Sequence, residues 1–224
     1  MHVRHFNSNH YTAFIKFAVA LVAIMLIFVR PALAADQNQH VIFALGDSLT
    51  AGYGLDAGLS FPDQLEAALL ADGLDVSIIN AGVSGDTSKG GQSRLDWALG
   101  DGPAMETDLA IVALGANDAL RGIDPASTRR NLTAIIEDLQ GRGITVLLAG
   151  MLAPPNMGPD YAAEFNPIYG DLAAQFDVAF YPFFLDGVAA DPSLNLEDGM
   201  HPNAEGIGVM VERMKPLVKS LLNE

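Results

Sequence analysis

Five short apolar runs set what this chain can fold into: "VIFAL" (41–45), "DVSIIN" (75–80), "DLAIVALG" (108–115), "ITVLLAG" (144–150) and "VAFYPF" (178–183). Runs of this length, rich in β-branched and aromatic residues, read as strands. "VIFAL" is continuously apolar and reads as a buried strand, covered on both faces as in a parallel sheet. The segments between them read as helices. "FPDQLEAALLADG" (61–73) has Pro62 in its first turn and Gly73 at its end, and "PASTRRNLTAIIEDLQGRG" (125–143) has the same signals. A Gly-rich loop, "AGVSGDTSKGG" (81–91), leads to a helix around 93–99. An irregular stretch, "MLAPPNMGPDY", leads to a helix ending near Phe176. "NAEGIGVMVERMKPLVKSLL" closes the chain as a helix with Asn203 as its cap. Alternating strands and helices imply an α/β fold with a parallel sheet between helical layers. No internal repeat, low-complexity tract or interdomain linker interrupts the pattern, and 224 residues suit one domain.

The first 34 residues stand apart. Phe17 to Val29 form an apolar run shorter than the ~20 residues of a spanning helix. Arg4 and Lys16 precede it, and "ALA" at 32–34 is a small-residue cleavage site. Residues 1–34 are therefore expected to be a signal peptide, leaving 35–224 as the mature domain without stable membrane insertion. Arg30, which can slow export, keeps an uncleaved anchor as the alternative. All 27 acidic residues but only nine of the 12 basic ones lie beyond residue 34. Such acidity argues against nucleic-acid partners and anionic membrane surfaces. Cysteine is absent, which excludes disulfides, thiol catalysis and Cys-ligated zinc. Export without cysteine points to a bacterial periplasm or the medium.

In open parallel sheets ligands bind beyond the carboxyl ends of the strands, where strand order reverses. The chemistry should then lie in 46–54, 81–91, 115–122, 151–160 and 195–203. Ser48, in "GDSLTAGYG", is either a helix cap or a nucleophile. A serine hydroxyl needs a positioned base. Of the histidines beyond residue 34, His40 precedes the first strand and so lies at the wrong edge of the sheet. His201 lies in a late loop, three residues after Asp198, where one tight turn can present carboxylate and imidazole together. Near a helix start the Ser48 N–H can face an oxyanion. Gly85 can offer a bare backbone N–H and Asn117 a side-chain amide. Neighbouring first and third strands would bring Ser48 and Asn117 together. Asp47, Asp86 and Asp118, with His201, have two readings: a metal cluster serving a phosphoesterase, or caps and loop hydrogen bonds. A non-catalytic lipid- or glycan-binding protein is a further alternative. "GDTSKGG" lacks the ending of a phosphate loop.

Each piece alone is common; four pieces in order, each after a strand, are not. Together they resemble the SGNH, or GDSL-type, hydrolase family. "GDSLTAGYG", "NAGVSGDTS", "LGAND" and "DGMHPN" match its four blocks, and the likeness spans nearly all of 40–222. Within the family, "GDTS", "NDALRG" and "PFF" make the chain most similar to the bacterial periplasmic thioesterase I / lysophospholipase L1 / arylesterase group. The resemblance implies a three-layer α/β/α sandwich around a flavodoxin-like five-stranded parallel sheet. It implies a Ser48–Asp198–His201 triad and an oxyanion hole from Ser48, Gly85 and Asn117. It implies no metal or cofactor and a monomer acting on small ester, thioester or lysolipid substrates. A carbohydrate O-acetylesterase is the alternative inside the family. Ala119 and Leu120, with Met151, Leu152 and Pro154, are the expected path of the acyl chain. Ala116 stands where the group often has Gly, and its methyl narrows the floor of the site.

Overall fold

The computed structural model describes residues 39–100 and 106–223; the expected signal peptide and its cleavage site lie outside the described residues. The five runs form one parallel sheet in the order β2-β1-β3-β4-β5, with β1 His40–Gly46, β2 Val76–Gly82, β3 Leu109–Ala113, β4 Thr145–Ala149 and β5 Ala179–Tyr181. The order reverses at β1, between its neighbours β2 and β3. Successive side chains of a strand point to opposite faces. Every residue of β3, and all of β1 after His40, is buried, so helices must cover both faces. His40 opens β1, at the end opposite the reversal, with Nδ1 3.8 Å from Asp108.

The helices are α1 Ser48–Ala51, α2 Phe61–Ala71, α3 Ser88–Leu99, α4 Ala116–Leu120, α5 Pro125–Gly141, α6 Pro159–Phe165, α7 Pro167–Phe176 and α8 Ala204–Leu222. α2 packs with α8, and α5 packs with both α3 and α7. Ser60 caps α2 in a capping box: its hydroxyl accepts from Asp63 N–H while the Asp63 carboxylate accepts from Ser60 N–H. Leu65 and Leu69 of α2, and Met210, Met214 and Val218 of α8, are buried in the shared core at the spacings of one helical face.

Four elements differ from the sequence reading. α3 starts at Ser88, five residues early, with Thr87 as its cap. Gly90 and Gly91 read as loop residues, yet they sit inside the helix, at positions that leave no room for a side chain. A Cβ on Gly91 would stand 2.3 Å from Leu114 Cδ1, and one on Gly90 2.5 Å from Asp86 Oδ1. α6 begins inside the stretch expected to be irregular. α1 and α4 are single turns too short to show a period, and both lie just past strand ends.

Candidate active site

β1 ends at Gly46, and the chain turns at once into α1. Asp47 caps that turn: it is 1% exposed and its Oδ1 accepts from Leu49 N–H at 3.0 Å. Ser48 is therefore the first residue of a short helix, fixed at the carboxyl end of a central strand. β3 ends beside it and leads into α4, whose N-cap Gly115 has φ +112°. Only glycine fits there, because a Cβ would lie 2.1 Å from the Tyr169 hydroxyl oxygen. Asn117 is the second residue of α4, and one of its amide hydrogens goes to Asp47 Oδ2 at 3.2 Å. Ser48 and Asn117, 69 residues apart in sequence, meet because β1 and β3 are neighbours.

His201 comes from the loop before α8. That loop is closed by Leu196 N–H to His201 O (2.7 Å) and Asn203 N–H to Leu194 O (2.9 Å). Asn203 also caps α8, its side chain accepting from Gly206 N–H. Within the loop, Asp198 Oδ1 accepts from the backbone N–H groups of Met200 and His201 (2.9 and 3.0 Å), and Oδ2 lies 2.6 Å from His201 Nδ1. The opposite ring nitrogen, Nε2, lies 2.9 Å from Ser48 Oγ. Carboxylate, imidazole and hydroxyl thus form one hydrogen-bonded chain. The Tyr53 ring packs on the imidazole, centroids 4.6 Å apart and planes tilted by 39°.

The two carboxyl groups of the site have opposite electrostatics. The His201 and Met200 backbone N–H groups, then the His201 side chain, hold Asp198 down to about 2. Burial pushes Asp47 up to about 6, against the Leu49 N–H and Asn117 amide bonds that favour its charged form.

Gly85 is the third residue of a turn, 83–86, closed by Asp86 N–H to Val83 O at 3.0 Å, and has φ +86°. A positive φ at that place is the mark of a type II turn and suits glycine. Ser48, Gly85 and Asn117 all line the same cleft. Among the described residues, the Ser48 and Gly85 N–H groups and the second Asn117 amide hydrogen have no protein partner. Such donors, grouped near a hydroxyl, can stabilise negative charge developing on a carbonyl oxygen.

The cleft has a volume of about 860 Å³. Ala116, Leu120, Met151, Leu152 and Pro154 line it, as does Phe183. Ala119, expected beside Leu120 on the substrate path, is fully buried in the core and is not a lining residue. The reason is helical: positions 116, 117 and 120 share one face of α4, which puts Asp118 and Ala119 on the inner side. Tyr53, Phe183, Leu185 and Met200 were missed as lining residues. Phe183 and Leu185 follow β5, so the rule used for the other four strands would have found them. Tyr53 lies within the first motif, and nothing local marks its packing on His201.

The carboxylates of the metal-cluster alternative are engaged separately. Asp86 pairs with Arg94 at 2.6 Å. Asp118 is fully buried and accepts from Ser88 N–H, Ser88 Oγ and Thr128 Oγ1. Asp47 holds Leu49 and Asn117. Among the described residues no three His, Asp or Glu side chains are grouped to hold a metal ion.

Comparison with known proteins agrees in sequence and in fold. Residues 44–207 match the GDSL-like lipase/acylhydrolase family. The chain is 38% identical to Esterase TesA of Pseudomonas aeruginosa over 190 residues, 85% of this chain and 93% of that protein. It is 36% identical to thioesterase 1/protease 1/lysophospholipase L1 of Escherichia coli K12 over 194 residues, 86% and 88% of the two chains. Among solved structures, that of the SGNH-hydrolase family esterase AlinE4 is 49% identical, with TM-score 0.69 and 82% and 97% coverage. Esterase EstA from Pseudoalteromonas sp. is 31% identical, with TM-score 0.77 and 83% and 100% coverage. The matched stretch holds the serine, the glycine, the asparagine and the histidine that face one cleft here, and the chain belongs to the GDSL-like lipase/acylhydrolase family.

Proposed function

We propose that this protein is an exported serine esterase that cleaves carboxylic esters or thioesters carrying an apolar acyl chain. One observation carries the reading: the Asp198–His201–Ser48 hydrogen-bonded chain opens into an apolar cleft flanked by three N–H donors. His201 Nε2 takes the Ser48 proton as Oγ attacks the carbonyl carbon, and Asp198 holds the imidazole and stabilises its protonated form. The Ser48 and Gly85 N–H groups and the Asn117 amide bind the resulting oxyanion. The imidazolium returns the proton to the leaving oxygen or sulfur. Water, deprotonated by His201, then attacks the acyl-enzyme and releases the acid. Nothing in this sequence of steps calls for a metal or cofactor.

The acyl chain lies along the apolar part of the cleft lined by Leu120, Met151, Leu152, Pro154, Phe183 and Leu185. These apolar side chains favour aryl esters, lysophospholipids and longer acyl thioesters over polar carbohydrate acetates. The relatives named arylesterase, from Vibrio mimicus, and thioesterase 1/lysophospholipase L1 span the same range. Export rests on the apolar run and the small-residue site at 32–34, with 35–224 as the hydrolase domain. No helix among the described residues is long and apolar enough to cross a membrane.

An alkyl phosphonate tests the mechanism; EstA has been captured inhibited by monoethylphosphonate. The expected result is one adduct per chain, mapped to Ser48, with loss of activity and no effect of chelators. Activity lost to a chelator and restored by a divalent metal would overturn the reading. Rates on aryl esters, acyl-CoAs and lysophospholipids of graded chain length then rank the substrates.

A further inference from the structure

The three candidate oxyanion donors follow three different strands, Ser48 after β1, Gly85 after β2 and Asn117 after β3, and something must hold Gly85 and Asn117 at a fixed separation. Arg94 anchors the far end of the Gly85 turn to the sheet. It bonds the Asp86 carboxylate (2.6 Å), Gly46 O (3.0 Å) and Ala81 O (2.8 Å). None of these bonds reaches α4, which carries Asn117. The bonds from Ser88 to Asp118 tie α4 to the start of α3, two residues beyond the turn. The turn itself is joined to α4 by one hydrogen bond among the described residues: the Arg121 guanidinium donates to Gly85 O at 2.7 Å. Arg121 is the C-cap of α4, and its backbone N–H donates to Asn117 O at 3.1 Å. One residue thus bonds Asn117 through its main chain and Gly85 through its side chain.

We propose that Arg121 is a positioning residue that sets the separation between the Gly85 N–H and the Asn117 amide, so that both address one oxyanion. The proposal rests on the serine-esterase reading above. The guanidinium spans a gap that no backbone bond closes among the described residues, and it acts on the carbonyl of a glycine that lines the cleft. Arg121 is exposed and is not one of the cleft-lining residues, so removing it should leave substrate binding and the core intact. Loss of the clamp loosens two donors that matter most when the carbonyl oxygen carries full charge. The loss should therefore fall on kcat.

The test compares wild type, Arg121→Met, Arg121→Lys, Asn117→Ala and the Asn117→Ala/Arg121→Met double variant on a short, uncharged aryl ester, with thermal melts alongside. Removing an oxyanion donor outright costs about 10²–10³ in rate, and misplacing two should cost about tenfold. Arg121→Met should lose that tenfold in kcat, keep KM within about twofold and melt with wild type. Arg121→Lys should recover part of the loss, because its ammonium can give Gly85 O one bond but lacks the planar fork. In the Asn117→Ala background, Arg121→Met should cost less than about threefold, since the separation no longer matters. Unchanged kcat, multiplicative losses in the double variant, or a raised KM with normal kcat would each overturn the proposal, the last by making Arg121 a substrate contact. If Arg121→Met melts early, the same pattern is required of Arg121→Lys and Arg121→Gln. Phosphonate labelling of wild type separates the two levels. An unlabelled Ser48 sinks the esterase reading, whereas a labelled wild type with an unaffected Arg121→Met sinks the clamp alone.

Discussion

Asp47 makes a measurable statement about stability against pH. It is 1% exposed, and burial raises its pKa from 3.8 to about 6. The folded protein therefore binds this proton more tightly than the unfolded chain. Ionised Asp47 costs stability at neutral pH, and the cost disappears as pH falls through the window from 6 to 3.8. A shift of about two units corresponds to about 3 kcal/mol at its limit, of which about 2–3 kcal/mol is recovered by pH 4. Asp47→Asn has nothing to titrate there. The wild type should thus gain about 2–3 kcal/mol relative to Asp47→Asn between pH 7 and pH 4, whatever their difference at pH 7. With a urea m-value of about 2 kcal/mol per molar, the gap between midpoints should move by about 1 M. Urea melts of both proteins at half-unit steps of pH give the difference curve, in which the other carboxylates cancel. A flat curve, or one falling toward acid, would show that Asp47 is not the buried, proton-hungry group described here.

Other perturbations have equally definite outcomes. Asn117→Ala should lose about 10²–10³ in kcat with KM little changed, read on a short aryl ester with a melt as control; a kcat within a few-fold of wild type would remove Asn117 from the oxyanion site. Asp198→Asn should lower kcat by about 10⁴, less than Ser48→Ala, because the carboxylate orients the imidazole and moves no proton itself. Asp198 sits at about 2, so its contribution to stability is full above 3.8 and is lost as pH falls toward 2. Acid unfolding of Asp198→Asn should accordingly lack that part of the pH dependence, which urea melts between pH 5 and pH 2 would show. Gly115→Ala combines φ +112° with a Cβ 2.1 Å from the Tyr169 hydroxyl oxygen, and should cost about 2–4 kcal/mol, visible as an early thermal melt.

Much of the molecule was legible from local chemistry. The strands were found because "VIFAL", "DLAIVALG" and "ITVLLAG" are short apolar runs. α2, α5 and α8 were found because their caps and breakers, Pro62, Pro125, Gly73 and Asn203, act over a few residues. Strand order was not local: the motifs showed only that β1 beside β3 would bring Ser48 to Asn117, and the folded sheet supplies that pairing. Glycine misled where its reason was tertiary. Gly90 and Gly91 read as loop residues but are helical, and they are glycine because Asp86 and Leu114 leave no space for a side chain.

Sequence alone determined which residues are candidates for the chemistry and which end of the sheet they occupy. A hydroxyl, an imidazole and a carboxylate after strand ends are properties of residue type and order. What only the tertiary structure decided is direction and environment. Ala119 and Leu120 are neighbours in sequence, but the pitch of α4 buries one and turns the other to the cleft. Asp47 and Asp198 are the same residue type in two motifs. Packing strips water from the first and raises its pKa, while an open loop gives the second two backbone donors and lowers it. The Tyr53 ring contact with His201 and the Arg121 bond to Gly85 join positions 148 and 36 residues apart. Contacts of that kind depend on where the folded backbone brings distant segments, and no pattern in a linear stretch encodes them.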